Sequence, residues 1–392
     1  MIVIAGKNNI AVHALNVLLN RFPVSDIAVV LNATDDGIDG WQLSFRKKSE
    51  ELGVKIISLE LAEQAADVFI SLEFDRIVKP ARFRDASKIF NIHFSALPSY
   101  KGMYTSIWPI LHGDERSAVT LHRIDAGIDT GEIVDQIFFD LVESDSSKDL
   151  YLKYIDNAIA LLDKNISSII SGDVVSENQE AKGSSYFSKT SIDFAKLNFN
   201  FYQTAWQIGR FLKAFAFRNY QMPSWNGEVY CNYEILATGS TARPGTILET
   251  HELYTTVSTI DYDLRLFKDK HHQVFESVTL GYLPVTRRLI HNIVNINDRN
   301  DKSWTLLMVA AYHGHSDLIK FLLDEGADIN GRNYKGTTVL MYAKDWALKN
   351  NNTDQFKMLI ERGANLSLRD YTNKSLSDYL SLEESRIMGV VA

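Results

Sequence analysis

The hydrophobic pattern at the start of the chain alternates between two kinds of segment. Short β-branched runs, beginning with MIVIAG, alternate with longer stretches such as NNIAVHALNVLLNRF, whose apolar residues recur at helical spacing. Short continuous apolar runs are typical of buried strands, and a period of 3.6 is typical of amphipathic helices. Roughly the first 180 residues therefore predict an α/β fold with a Rossmann-like, doubly wound and mostly parallel sheet.

The pattern changes after residue 183. FNFYQTAWQIGRFLKAFAF predicts an aromatic-rich helix, and GEVYCNYEILAT, GTILETHE, LYTTVSTID and LRLFK predict short strands separated by turn signals. We expect a small β-rich second domain over 184–280. Its aromatic side chains are expected to form either a homodimer surface or an ordinary core.

The last part of the chain contains an internal repeat. The dipeptide Ile296-Asn297 recurs as Ile329-Asn330 after 33 residues, within segments such as GHSDLIKFLLDEGADINGRNYKGTTVLMYA. This period and pattern resemble ankyrin repeats, which stack helical pairs. The predicted organisation is therefore the α/β domain over 1–183, the β-rich domain over 184–280 and an α-helical ankyrin-repeat domain over 281–392.

Composition narrows the range of functions. The 392-residue chain has a net charge of -8 and a single cysteine, Cys231. An acidic balance argues against a dedicated nucleic-acid or anionic-membrane surface, and one cysteine permits neither an internal disulfide nor a cysteine-based zinc site. No secretory leader or membrane span is recognisable. We expect a cytoplasmic protein with no metal, no nucleic-acid partner and no membrane partner.

The stretch NIHFSALPSYKG, which begins at Asn91, carries the strongest candidate chemistry. Asn91 and His93 would project from the same side of a strand at its end, and DAGIDTGEIV supplies the carboxylate of Asp129. An amide donor, a histidine and a carboxylate together suit addition to a carbonyl carbon. The alternative is structural: Asn91 caps a turn, His93 is a half-buried histidine and Asp129 starts a loop. Spacing alone leaves both readings open.

FNIHFSALPSYKG followed by VTLHRIDAGIDTGEIV resembles the paired signature of folate-dependent formyltransferases. That group contains methionyl-tRNA formyltransferase, glycinamide ribonucleotide formyltransferase and the nucleotide-sugar N-formyltransferases, and the likeness covers about 1–180, extending more weakly to QMP at 221–223. It implies that Asn91, His93 and Asp129 are catalytic and that an amine attacks the formyl carbon of the cosubstrate 10-formyltetrahydrofolate. It also implies a cofactor pocket lined by Leu72, Phe74, Arg76, Ile77, Asp125 and Gly127. The alternative for Leu72 and Ile77 is ordinary sheet core.

The acceptor is predicted from the middle region. Because this region is short, aromatic and not basic, a tRNA acceptor is disfavoured. It resembles instead the second domain of bacterial enzymes that formylate dTDP- or UDP-linked amino sugars. The preferred acceptor is dTDP-3-amino-3,6-dideoxy-D-glucose, used for O-antigen synthesis. Expected substrate contacts are Lys101, Tyr104, Arg210, Lys213, Tyr220 and Trp225, with aromatic core and solvated basic residues as the alternative.

Two alternative functions stay open at this point. One is formylation of another dTDP- or UDP-amino sugar, in the 4-amino or galacto form. The other is an ankyrin-based interaction protein whose enzyme-like domain is inactive.

The ankyrin repeats admit three roles. They are expected to bind a protein partner, to act as a rigid extension, or to hold a second nucleotide-sugar ligand. The last idea rests on an aromatic group in repeat register, formed by Trp304, Tyr312, His313 and Tyr334.

Overall fold

The computed structural model describes residues 1–84, 88–372 and 374–390. The chain forms two compact units, Met1–Phe199 with Lys213–Met222, and Asn200–Leu212 with Pro223–Ala392. Within the described ranges, no helix is both long enough and apolar enough to cross a membrane.

The first unit is built around a mixed sheet. Its strands, together with a small separate pair, are β1 (Ile2–Gly6), β2 (Ile27–Leu31), β3 (Lys55–Ile56), β4 (Val68–Leu72), β5 (Ile89–His93), β6 (Lys101–Gly102), β7 (Arg116–Arg123), β8 (Ile133–Asp140) and β9 (Tyr186–Phe187). The sheet order is β3-β2-β1-β4-β5-β7-β8. Strands β1 to β5 pair in parallel, β7 and β8 are antiparallel, and β6 pairs with β9. The predicted doubly wound, mostly parallel sheet is confirmed.

Burial explains why the short apolar runs form strands. Every residue of β1, β2 and β4 is buried, as expected for parallel strands covered on both faces. The helices of this part of the chain are α1 (Asn8–Leu19), α2 (Phe45–Glu51), α3 (Leu59–Ala65), α4 (Trp108–His112), α5 (Ser147–Ser171) and α6 (Ala205–Phe215), of which α6 contributes residues to both units. Helix α5 begins with a capping box formed by Ser146 and Asp149.

The strand order places a topological switch point next to β1. The chain runs from β1 outward to β2 and β3, and then returns to the other side of β1 as β4 and β5. In doubly wound sheets, ligands bind outside the carboxyl ends of the strands at such a point. The ends of β1, β4 and β5 are therefore where a site is expected.

The second unit joins an antiparallel sheet to a helical array. Its strands are β10 (Ser224–Trp225), β11 (Glu228–Ile235), β12 (Ile247–Thr250), β13 (Tyr254–Val257) and β14 (Leu264–Lys268), in the order β10-β11-β14-β13-β12. Its helices are α7 (His271–Thr279), α8 (Leu283–Leu289), α9 (Leu306–His313), α10 (Ser316–Asp324), α11 (Val339–Asn350), α12 (Asp354–Glu361) and α13 (Leu382–Met388). Sheet and array are joined by Asn292, whose Nδ2 donates to the carbonyl oxygens of Leu253 and Lys268 at 2.7 Å.

The repeat predicted from sequence has a local structural counterpart. Thr305 and Thr338, 33 residues apart, are the N-caps of α9 and α11, and each hydroxyl accepts a backbone N–H three residues later at 3.3 Å. One continuous apolar core runs through the array from α7 to α13. The β-rich region and the helical repeats are thus confirmed, while the boundaries at 183/184 and 280/281 stay predictions.

Candidate active site

The candidate catalytic side chains meet where β5 ends beside β7. Asn91 and His93 lie on β5, and Asn91 is the antiparallel partner of His122 on β7. Asp129 lies in the loop between β7 and β8. Its Oδ1 is 3.6 Å from His93 Nδ1 and 3.6 Å from His122 Nε2, and Asn91 Nδ2 lies 3.5 Å from the same oxygen. The structure thus brings the three predicted residues together and adds His122.

The Asp129 carboxylate is fixed by its surroundings. The residue has a left-handed backbone, with φ +54°, and its Oδ2 accepts the Gly102 backbone N–H at 2.9 Å. Burial raises the pKa of Asp129, but the charge of His93 and hydrogen bonds such as that from the Gly102 N–H lower it by more, so the net pKa lies well below its usual value. Asp129 is therefore an anion throughout the neutral pH range.

His93 is held from both sides of its ring. Its Nε2 lies 2.9 Å from the Tyr100 carbonyl oxygen, which can only accept, so Nε2 carries a hydrogen in this arrangement. Its Nδ1 faces Asp129. Tyr100 itself has a left-handed backbone and is anchored by a hydrogen bond from its phenol to Asp114 at 2.6 Å. The loop after β5 therefore orients the imidazole toward the carboxylate.

His122 is a site residue that the sequence reasoning missed. It is buried, and its Nδ1 lies 2.8 Å from the carbonyl oxygen of Arg123, so Nδ1 carries the hydrogen and Nε2 accepts from Asn91 Nδ2 at 3.1 Å. The ring therefore orients the Asn91 amide. His122 stands inside VTLHRIDAGIDTGEIV, but no local signal shows that β7 lies beside β5 in this register.

The DAGID loop, which contains two predicted cofactor contacts, is tightly braced. Asp125 Oδ1 accepts the Gly127 backbone N–H at 3.0 Å and the Thr130 hydroxyl at 2.7 Å. A Cβ atom at position 127 would lie 2.0 Å from Thr130 Oγ1, so a side chain there would clash. Both Asp125 and Gly127 are exposed, which leaves the loop backbone open to a ligand.

The other predicted cofactor contacts differ in accessibility. Leu72 is 0% exposed and belongs to the sheet core, so neither its side chain nor its backbone is open to a ligand. Ile77 is 69% exposed, which excludes an ordinary core role for it. The Arg76 guanidinium lies 4.8 Å from the centre of the Phe74 ring. Phe74, Arg76 and Ile77 thus combine apolar surface with a positive charge.

Two predicted substrate contacts lie on the loop that reaches Asp129. Lys101 directly precedes Gly102, the residue that donates to the Asp129 carboxylate, and its Nζ donates to Ser184 Oγ at 3.1 Å. The Tyr104 hydroxyl donates to the Lys189 carbonyl oxygen at 3.3 Å. The structure therefore connects this loop to the catalytic cluster.

The remaining predicted substrate contacts are divided between the two units. In the first unit, Tyr220 is 64% exposed, whereas Lys213 is only 5% exposed. The Tyr220 ring centre is 6.2 Å from that of Trp41, a residue for which the sequence predicted no role. Arg210, which is exposed on α6, and Trp225, on β10, belong to the second unit.

The aromatic residues predicted on the ankyrin repeats form a cluster around Trp304. Its ring centre lies 5.2 Å from that of Tyr312 and 4.3 Å from that of Tyr342, which the sequence did not predict. His313 is 5.2 Å from Tyr312, between ring centres. Tyr334 lies on the turn before α11, and its ring is 5.4 Å from the Lys335 ammonium.

Among residues 1–84, 88–372 and 374–390, no three His, Cys, Asp or Glu side chains are grouped as a metal ion would require.

Comparison with known proteins matches both parts of the chain. A formyl transferase family model matches residues 26–166, and a model of ankyrin repeats matches residues 274–370 in three copies. WlaRD, a sugar 3N-formyl transferase whose crystal structure was solved with dTDP and 5-N-formyl-THF, is 39% identical; the match covers 68% of this chain and 97% of that chain, with a TM-score of 0.63. The N-formyltransferase from Helicobacter canadensis, solved with folinic acid and dTDP-3-aminofucose, is 41% identical to this chain. That match covers 68% of this chain and 100% of the other, with a TM-score of 0.63.

Proposed function

Because the chain belongs to the sugar N-formyltransferase family, we propose that it moves the formyl group of 10-formyltetrahydrofolate onto the amine of a dTDP-linked 3-amino-3,6-dideoxy sugar. Membership of this family makes the chain an enzyme, so the alternative of an inactive, purely interacting protein is set aside. The observation that carries the proposal is the cluster of Asn91, His93 and Asp129, in which both the amide and the imidazole face one partly buried carboxylate.

Each side chain has a distinct task in the proposed reaction. The acceptor amine forms a bond to the formyl carbon, the carbonyl oxygen becomes an oxyanion, and the bond from that carbon to N10 of the folate then breaks. Asp129 is the anion that stabilises a protonated His93 and draws the proton from the attacking amine, directly or through a water molecule. The folate nitrogen takes up a proton as tetrahydrofolate leaves.

Oxyanion stabilisation falls to Asn91 and His93. One Asn91 N–H is engaged by His122, whereas the other makes only a long contact of 3.5 Å with Asp129 and is available to the formyl oxygen. The His93 Nε2–H reaches that oxygen by exchanging its present acceptor, the Tyr100 carbonyl. Donors aimed at developing charge in a site shielded from water stabilise the transition state more than the substrates.

The proposed folate pocket combines the DAGID loop with the segment after β4. A pterin needs backbone donors and acceptors beside a flat apolar surface, and the exposed backbone at Asp125 and Gly127 offers the first of these. Phe74 and Ile77 offer apolar surface, and Arg76 offers a cation for the carboxylates of the folate tail.

The acceptor is proposed from the named ligands of the two similar structures. One is a 3N-formyl transferase and the other was solved with dTDP-3-aminofucose, which supports both the dTDP group and the 3-amino position. Our preferred acceptor is dTDP-3-amino-3,6-dideoxy-D-glucose. Its galacto isomer is the close alternative, because fucose is 6-deoxygalactose.

A panel of acceptors tests this proposal. The full-length chain is incubated with 10-formyltetrahydrofolate and with the gluco and galacto 3-amino dTDP sugars, their 4-amino isomers and a UDP-4-amino sugar. We expect kcat/KM for a 3-amino dTDP sugar to exceed that for the 4-amino isomers by roughly tenfold or more, because a misplaced amine loses its alignment with the formyl carbon. Preference for a 4-amino or UDP sugar would contradict the acceptor, and no transfer to any acceptor would contradict the reaction.

We also propose that the aromatic cluster around Trp304 holds a second nucleotide-sugar molecule. Aromatic faces stack on bases, and Tyr312 is 45% exposed beside the half-buried indole. Equilibrium dialysis with the dTDP sugar is expected to give two sites per chain in the wild type and one in Trp304→Ala. The control is Trp206→Ala, which removes an exposed indole on α6. A single site that Trp304→Ala leaves unchanged would favour a protein partner or a rigid extension instead.

The wider context rests on the sequence alone. A homodimer, the two domain boundaries, a cytoplasmic location and a role in O-antigen synthesis all stay predictions. Sedimentation of the full-length chain is the direct measurement for the homodimer.

A further inference from the structure

A polar network occupies the switch point between β1 and β4. Asn8 follows β1 and Glu73 follows β4, and both residues have left-handed backbones, with φ of +64° and +54°. In doubly wound sheets this is where a ligand is expected. The network lies within the first unit and contains none of the residues predicted from sequence.

Only one of the two Glu73 oxygens is used within the network. Oε2 accepts from the Tyr151 hydroxyl and from Asn8 Nδ2, the latter at 3.2 Å. Gln42 Nε2 donates to the Tyr151 hydroxyl at 2.8 Å and so completes the support of that oxygen. Glu73 Oε1 is buried and has no hydrogen-bond donor among the described residues.

A second unsatisfied acceptor belongs to Asn32, a residue that is hydrogen-bonded to Glu73. Asn32, which directly follows β2, donates through Nδ2 to the Glu73 carbonyl oxygen at 2.8 Å, while its own Oδ1 is buried without a donor in the described part of the chain. Buried polar atoms in native proteins normally have partners, and an orphan acceptor is costly. Orphan acceptors on two hydrogen-bonded residues at a switch point indicate a ligand that brings hydrogen-bond donors.

An aromatic surface leads from the network toward solvent. The Tyr151 ring centre is 5.4 Å from that of Trp41, which in turn lies 5.6 Å from Phe217 and 6.2 Å from the exposed Tyr220. Apolar faces beside a few fixed polar atoms are typical of sites for ring-shaped ligands with hydroxyl groups.

The register also relates Glu73 to the proposed reaction. Leu72, the last residue of β4, pairs in parallel with Ile92, so Glu73 directly follows β4 beside the end of β5, where His93 lies. A carboxylate bound to the reacting amine would hold a proton on it and oppose attack. A hydroxyl that neighbours the amine has no such conflict.

We propose that Glu73 is a specificity-determining residue whose Oε1 accepts a hydrogen bond from a sugar hydroxyl next to the reacting amine. Tyr151, Asn8 and Gln42 hold the carboxylate in position for this contact. The inference rests on the proposed transfer to a nucleotide sugar, and it adds a recognition residue directly after β4.

The test compares Glu73→Gln with the wild type in steady-state kinetics. We expect the KM for the nucleotide sugar to rise by about tenfold or more, because a hydrogen bond to a charged acceptor is lost, while the KM for 10-formyltetrahydrofolate changes by less than about twofold. The wild type should also disfavour an acceptor that lacks the neighbouring hydroxyl, and Glu73→Gln should lose most of that discrimination. The control is Glu63→Gln, a buried glutamate on α3.

A pH series adds a readout that a merely structural role would not move. Burial raises the pKa of Glu73 to about 6, against the opposing effects of Tyr151, Lys7 and Asn8, and the ionisable groups that face it are Lys7, Tyr151 and Tyr220. As pH falls through about 6, the carboxylate gains a proton and the wild-type KM for the sugar should rise. In Glu73→Gln this part of the pH dependence should be absent.

The outcomes separate this inference from the proposed function. No transfer by the wild type to any acceptor overturns the function itself. Transfer by the wild type with an unchanged sugar KM in Glu73→Gln overturns only the role of Glu73, as does a fall in kcat with the KM intact. If Glu73→Gln does not fold, Tyr151→Phe provides the second variant, with an expected rise of roughly threefold to tenfold in the sugar KM, and no rise there overturns the inference.

Discussion

Replacing His93 by alanine is expected to lower kcat/KM for formyl transfer by roughly 10³-fold, within the range typical of a side chain that donates to, or moves a proton in, a transition state. The alanine removes the donor that faces the developing oxyanion and leaves the Asp129 carboxylate without its imidazole partner. The measurement is the rate of formylated nucleotide-sugar formation at several concentrations of both substrates.

His13→Ala is the matched control for this variant. His13 also faces an aspartate, with its Nε2 2.7 Å from Asp163 Oδ1, but on the helices α1 and α5. We expect its activity to equal that of the wild type. Far-ultraviolet circular dichroism must show that His93→Ala retains its fold, and a folded His93→Ala with near-wild-type kcat/KM would refute the assigned role.

The second large effect is expected for Asp129→Asn, which should lower kcat by about 10²-fold or more. Asparagine keeps the size of the side chain and an oxygen for the Gly102 N–H, but it removes the negative charge that faces His93 and His122. Asp163→Asn, the other half of the control pair, should be fully active. Equal losses in the two variants would show a general structural effect rather than catalysis.

The pKa of Asp129 also predicts a stability difference with a definite sign. Because this pKa is lower in the folded chain than its ordinary value of 3.8, the ionised carboxylate stabilises the fold above that pH, and the contribution is lost as pH falls further. Asp129→Asn should therefore unfold at a lower temperature than the wild type at pH 7. The difference should shrink below about pH 4, as thermal unfolding at a series of pH values would reveal.

Much of the fold could be predicted from sequence because its signals are local. The apolar runs that form β1, β2 and β4 are buried on both faces, and burial on both faces requires consecutive apolar residues. The repeat could also be predicted from sequence, since Thr305 and Thr338 cap equivalent helices and lie 33 residues apart. The parallel pairing of β6 with β9 was not predicted, because its partners are separated by more than eighty residues.

The candidate site could be predicted only in part from sequence. Spacing placed Asn91 and His93 on one side of a strand, and resemblance supplied Asp129 as their partner. The solvent exposure of each side chain could be read only from the structure, which shows that Ile77 is exposed and that Leu72 lies in the core.

The sequence by itself determined the order of strands, helices and repeats. It also determined which side chains are able to act on a carbonyl group. Both follow from sequence because periodicity and residue type are properties of neighbouring residues. Tertiary structure alone decided that His122 faces Asn91 and that Glu73 shares a network with Tyr151. Those contacts depend on the register of β7 against β5 and on the hydrogen bonds of Tyr151, on α5, with Asn8 and Glu73. Such long-range pairings arise when the whole chain buries its apolar surface, and no short stretch of residues encodes them.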